Sequence, residues 1–293
     1  MESDHRKGLL LALLGFAMLS AGDAVIKSIA GAWPGTAIAT LRYCIGAVGL
    51  GVVLWRAEGR AGFSMPLPWI QIGRAAAVSI ASICFFISVF IMPLAVATSI
   101  TFMSPMLTAL FSAVFLKERV PRAAWSATFF AFVGVLIVLR PNVAHLGVAA
   151  FLPLICACGM SMLMILNRKA AGAGSALQMQ FLIAAIASPI LIAFTLIGHA
   201  TGIAQLHVGV PTASIIARCA FVALTASTSH LLVYLATVRV SAATIAPMTY
   251  IQLLVAGLIG SFIFGDHYDL LAIVGATMIV VSGIYLWRRQ SLA

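Results

Sequence analysis

Charge is scarce in this chain. Seven of its 293 residues are Asp or Glu, and charged residues make up 8% of the total. Asp23 is the one acid that falls clearly inside a long apolar run, so a buried carboxylate pair for hydrolysis is missing. Long polar connections are missing too: the longest, 56–68 and 198–211, are about a dozen residues each, too short to hide a soluble domain. The five cysteines, Cys44, Cys84, Cys156, Cys158 and Cys219, all fall in apolar runs. Their odd number and apolar setting exclude a disulfide framework, and Cys156 and Cys158 point in different directions on a helix, which argues against a metal pair. There is no G-x-x-x-x-G-K-[ST] loop, no H-E-x-x-H and no G-x-S-x-G. Their absence argues against direct use of ATP, zinc proteolysis and serine hydrolysis, so no enzyme, cofactor or metal is expected.

What the chain does have is hydrophobicity. Sixty-three percent of it is apolar and its mean hydropathy is +1.14. Ten apolar stretches stand out, at 8–30, 34–55, 69–91, 94–116, 121–139, 146–166, 175–197, 212–235, 241–264 and 270–287. Each is long enough for a helix to cross roughly 30 Å of hydrocarbon. The runs do not alternate and far exceed the ten or so residues of a barrel strand, so the expected class is an all-α integral membrane protein of ten transmembrane helices. Residues 1–22 have some features of a signal peptide, but the apolar run continues to Ala30 and is read as a retained first span.

The net charge of +10 is distributed unevenly. With a cytoplasmic N-terminus, thirteen basic residues gather on the inner face: Arg6, Lys7, Arg56, Arg60, Arg74, Lys117, Arg119, Arg122, Arg168, Lys169, Arg239, Arg288 and Arg289. Lys27 and Arg140 fall on the outer face, and Arg42 and Arg218 within spans. This positive-inside bias predicts both termini in the cytoplasm, an even number of spans and a bilayer, rather than nucleic acid, as the partner.

The second five spans repeat the first five. A shift of 148 places Thr101 on Thr249, Phe102 on Tyr250, Leu110 on Leu258, and the span-closing Glu118 on Asp266. Five is odd, so the second copy starts on the opposite membrane face, and the expected halves, 1–141 and 142–293, are inverted. The segments LRYCIGAVGL around Arg42 and AVATSITFMSPMLTALFSAVFLKERV across span 4, with Pro105, Glu118 and then Gly134, resemble the drug/metabolite transporter superfamily in its ten-helix form with two EamA-like halves. In overall likeness the chain is most similar to the YddG-type exporters of amino acids. The second half departs from the pattern, with Leu253 where the proline would fall and Asp266 for the glutamate. The resemblance implies a cavity between the halves, cytoplasmic termini and export of small metabolites by alternating access across a bacterial-type inner membrane.

Several side chains are candidates for that cavity. Asp23 is costly within a membrane, and Lys27 lies one turn on. The two read either as a self-neutralised ion pair that can gate the outer end, or as a cation, proton or substrate-ammonium site. Arg42 has three readings: a partner for Asp23, a donor to carbonyls of a broken helix, or a donor to a substrate carboxylate. Ser227, His230 and Tyr234 share one face of span 8, where His230 is either a proton relay or a hydrogen-bonded packing residue. Arg218 is expected to snorkel to the interface.

Span 4 presents Thr98, Thr101, Ser104 and Thr108 at helical spacing around Pro105. Span 9 offers Pro247, Thr249, Tyr250 and Gln252. Two polar, proline-bent helices at corresponding places point to a binding site. Ser82, Phe86 and Phe90 of span 3, with Met160, Met162 and Met164 of span 6, add a candidate adaptable wall. Gly275 and Gly283 allow close helix contact, which includes a homodimer seam.

Export of neutral amino acids, aromatic and apolar ones included, is the expected function. The alternatives are another small metabolite or a cationic drug on the same fold, and, behind these, an intramembrane enzyme or channel.

Overall fold

The computed structural model describes residues 2–29, 31–91, 94–139, 147–259, 261–262 and 270–290. They form α1 (Glu2–Lys27), α2 (Gly35–Glu58), α3 (Pro68–Ile91), α4 (Leu94–Thr101), α5 (Ser104–Phe111), α6 (Arg122–Leu139), α7 (Phe151–Lys169), α8 (Ala176–Ala200), α9 (Ala213–Arg239), α10 (Ala242–Ile245), α11 (Ile251–Ile259) and α12 (Leu270–Gln290). Among the described residues there is no strand. Seven stretches are long and apolar enough to cross a bilayer; Ser104–Leu116, Arg122–Ile137 and Ile273–Tyr285 are shorter apolar helices. Together they occupy the ten expected spans. Span 4 comprises α4, α5 and a wide π turn over Ser112–Leu116. Span 9 comprises α10, a 3₁₀ turn over Ala246–Tyr250, and α11.

The two interrupted spans break at prolines. α4 stops at Thr101, and Pro105 sits in the first turn of α5, where its missing N–H is not needed. Met106 N–H bonds Met103 O at 3.0 Å instead of Phe102 O, freeing the latter carbonyl. Pro247 plays the matching part in the 3₁₀ turn of span 9. Helices of the second half start on hydroxyl caps: Ser175 accepts from Gln178 N–H and Ser241 from Thr244 N–H.

The packing maps onto itself when the first five spans exchange with the second five. α1 lies along α9, and its counterpart α7 lies along α3. α2 meets α8, α6 meets α12, and α5 meets α10 and the turn beside it, each pair its own counterpart. α5 touches α7 just as α11 touches α1. Small residues make these seams close. A Cβ on Gly15 would stand 2.9 Å from Ser229 O, and one on Gly159 2.8 Å from Ala77 O. Gly275 is spent inside the chain: its carbonyl lies 2.7 Å from a Cβ built on Gly134, so it is an α6–α12 contact rather than a dimer seam, while Gly283 faces open space.

The two ends of the bundle differ. At the end where the chain begins, Arg239 pairs with Asp4 at 3.4 Å and Arg168 with Glu118 at 3.2 Å. Arg168 also donates to Thr237 O at 2.7 Å. At the opposite end Arg218 donates to Ser28 O at 3.0 Å and Trp33 to Gly209 O at 2.9 Å. The first end, here the near end, is tightly closed: Gln71, Arg74, Asn167, Gln178, Tyr234, Thr237 and residues 242–248 are all buried. Toward the far end Ser82 to Ile87 and Thr101 to Ser104 are only half-buried, and Asp23 is exposed.

Candidate functional site

A cleft opens between α2, α8 and α9. Arg42, Tyr43, Gly46, Gln180, Ser227 and His230 are among its lining residues. A second space lies between α1, α7 and α9, walled by Phe16, Met160, Met164, Asn167 and His230. His230 borders both, so it stands where the two spaces approach each other. Helix geometry explains the grouping. Ser227, His230 and Tyr234 fall on one face of α9, and Gln180 on α8 holds that face by donating to His230 O at 3.2 Å.

Asp23 is exposed, and it is within electrostatic reach of Arg42. Arg42 is half-buried, with its guanidinium over the Tyr43 ring at 5.2 Å. Asp23 is four residues from the far end of α1 and Arg42 seven from the start of α2. Both therefore lie about 6–10 Å below that end, at 1.5 Å per residue. His230 lies deeper, within electrostatic reach of both Arg42 and Arg74. The side chain of Lys27 lies outside the described residues, as do that of Phe90 and the whole of Asp266, so the Asp23–Lys27 pair stands as an expectation.

The broken spans meet at the centre. Tyr250 donates to the freed carbonyl of Phe102 at 3.2 Å, with the two rings 6.0 Å apart. These residues are related by the shift of 148, so the repeat brings its own counterparts together. Each interrupted span is also tied by a serine from its neighbour. Ser161 Oγ donates to Ser104 O at 2.8 Å, and Ser20 Oγ to Gln252 O at 2.9 Å.

The remaining expected residues divide. Met160 and Met164 line the second space, whereas Met162 packs in the core between α3 and α8. Thr98, Thr249, Gln252 and Ser82 are half-buried around the centre. Thr101 turns back on Ala97 O at 2.9 Å, and Thr108 is buried. The half-buried Phe86 covers Gly35 at the start of α2. Tyr234 and Tyr250 do not face the cavity. Tyr234 is 1% exposed and donates to Ala170 O at 3.0 Å, and Tyr250 is 0% exposed. A phenol inside a bundle needs an acceptor, and a neighbouring carbonyl supplied one.

The largest departure concerns Arg74. Counted with the basic rim, it is 0% exposed. Its Nε donates to Asn167 Oδ1 at 2.8 Å, and its Nη1 to Gln71 Oε1 at 2.6 Å and Met179 O at 3.1 Å. The guanidinium stands over the Tyr234 ring at 5.4 Å, and Nη2 has no hydrogen-bond partner among the described residues. The available signal was position: Arg74 lies five residues inside the apolar run starting at 69, with Gln71 one turn before it. Gln180 and Asn167 carried no such signal.

Residues 6–140 match the family model described as the EamA-like transporter family. The pseudopaline exporter CntI of Pseudomonas aeruginosa is 32% identical over 136 residues, 46% of this chain and 47% of that protein, so the matched stretch spans about half the length of that relative. An S-adenosylmethionine uptake transporter of Rickettsia bellii is 24% identical over 229 residues, 77% of this chain and 75% of the relative. A riboflavin transporter of Rhizobium johnstonii is 24% identical over 232 residues, covering 79% and 74%. One solved crystal structure shares the fold, with a TM-score of 0.80 at 16% identity over 96% of this chain and 98% of the other.

Proposed function

We propose that this chain is a secondary transporter of the EamA-like kind, moving a small zwitterionic metabolite across a bacterial inner membrane. Its two inverted halves, 1–141 and 142–293, enclose the substrate path, and both termini face the cytoplasm. The observation that carries this reading is the placement of Arg42 and His230 on one cleft, with Asp23 within electrostatic reach of Arg42, while the near end is closed. A carboxylate and a guanidinium at one depth suit an ammonium and a carboxylate on one solute. Ser227 and Gln180 add neutral polar contacts, and Met160, Met164 and Phe16 supply an apolar wall. Neutral amino acids, aromatic and apolar ones included, are the simplest solutes with this chemistry, and export is the proposed direction. Rocking about the breaks at Pro105 and Pro247 closes the far end and opens the near one.

A second reading, a larger zwitterionic metabolite on the same path, is favoured by the relative named for S-adenosylmethionine uptake, whose match extends over three quarters of its length. Both readings are tested by uptake into liposomes containing the purified protein. A panel of amino acids, S-adenosylmethionine and a cationic dye is measured with and without a pH gradient. Saturable amino-acid uptake with mutual competition is expected. Movement of the dye alone would replace the zwitterion with a cationic cargo.

A further inference from the structure

Arg74 has no role in the cavity just described, yet it is an expensive residue. It lies six residues into α3, about 9 Å from the near end, and is 0% exposed. Burying a guanidinium is unfavourable unless its donors are paired, and usually a carboxylate does this. Here the acceptors are all neutral: the amides of Asn167 and Gln71 and the carbonyl of Met179. One terminal nitrogen, Nη2, is buried and unpartnered among the described residues. A structural arginine kept for stability alone would gain from an acid, and none is among its hydrogen-bond partners in the described residues.

The cluster also has a position. Gln71 and Arg74 belong to α3, Asn167 to α7, Met179 to α8 and Tyr234 to α9. These four helices meet at the closed end. Asn167 lines the second space, beside His230, so the guanidinium lies one side chain beyond the cavity floor. A solute on the path between the near end and Arg42 therefore passes Asn167, with Arg74 immediately behind it, and His230.

We propose that Arg74 is a second carboxylate-binding group, recruited when the near end parts, and that its neutral partners are there to be displaced. This rests on the transporter reading above. A carboxylate forms charge-assisted, bidentate bonds with a guanidinium that amide oxygens do not match. A substrate carboxylate that replaces Asn167 and occupies Nη2 removes the tie between α3 and α7. The solute thereby favours the open near end through an interaction absent from the closed state, as a ligand must if it is to shift the equilibrium. An internal acid at position 167 would satisfy Arg74 permanently and hold the end shut.

The test uses Asn167→Asp, nearly isosteric with the native residue. The readout is labelling of Ala170→Cys, in a background free of the native cysteines, by a small polar maleimide in detergent. Ala170 is 0% exposed, so labelling reports opening of the near end. L-phenylalanine is expected to accelerate labelling roughly tenfold, and its decarboxylated analogue phenethylamine is expected not to. Asn167→Asp should slow basal labelling and abolish the phenylalanine effect. Arg74→Lys keeps the charge without the fork and should lose most of that effect while folding normally. Labelling of Asn167→Asp indistinguishable from the parent, or equal acceleration by the amine, overturns the proposal even when liposomes carry amino acids. Slower labelling in Asn167→Asp, in a protein whose liposomes move no amino acid, supports the lock and overturns the amino-acid reading instead.

Discussion

The first five spans and the second five pack alike but are not chemically alike. Their helices pair in matching ways, and the serine ties repeat, Ser161 onto Ser104 and Ser20 onto Gln252. The charged side chains within the spans do not repeat. Asp23, Arg42 and Arg74 all belong to the first half, whereas the second contributes His230, Gln180 and Ser227. Duplicated architecture supplies matching seams and matching breaks.

The comparison breaks most readily at the charges. Arg42→Gln removes a guanidinium from the cleft, whereas Arg218→Gln removes one from the exposed far rim. A hydrogen bond to a charged group is worth about 1.5–3 kcal/mol, roughly a tenfold to hundredfold change in binding. Arg42→Gln should therefore raise the half-saturating concentration of a transported amino acid by about that factor, with Arg218→Gln changing it less than about twofold. Equal losses in the two variants would remove Arg42 from the substrate path.

The seams come next. Gly15 lets α1 approach Ser229 O, and Gly159 lets α7 approach Ala77 O, at nearly the same distance. A valine at either position must displace backbone, and overpacking of this kind costs about 1–3 kcal/mol. Gly15→Val and Gly159→Val should each lower the thermal midpoint of the purified protein, and by similar amounts. A fall in one variant only would mean that one seam relaxes, and that the two halves are mechanically as well as chemically unequal.

How far this was legible beforehand follows the same division. Ten apolar spans, their approximate bounds and the prolines at the breaks follow from run length and from proline's missing N–H, both of which are local properties. The shift of 148 equates Phe102 with Tyr250 but says nothing of their meeting, because counterparts touch only where the halves cross. The burial of Arg74 did not follow, because rim and interior lie within two turns of each other on a helix, and neighbours on α7, α8 and α9 decide between them. Tyr234 and Tyr250 were misplaced for a related reason. A polar tip on a helix face reads as cavity-facing until the carbonyl that accepts its proton is known.

The smallest expected effect is also the sharpest on symmetry. Ser20→Ala and Ser161→Ala each delete one hydroxyl tie to an interrupted span while leaving the neighbouring packing intact. Hydrogen bonds between membrane helices contribute about 0.6 kcal/mol on average, so each variant should lose only about that much stability. The kinetic effect need not be equal. The single Ser161 hydroxyl proton is shared between Ser104 O at 2.8 Å and Ala157 O of its own helix at 2.7 Å, which weakens its tie, whereas Ser20 gives its proton to Gln252 O alone among the contacts described. Losing Ser20 frees its interrupted span more completely, so Ser20→Ala should speed exchange between access states more than Ser161→Ala. Single-molecule distance measurements on labelled far-end sites would read the two rates. Identical acceleration would show that the ties are interchangeable and that the asymmetry of the path is confined to its charges.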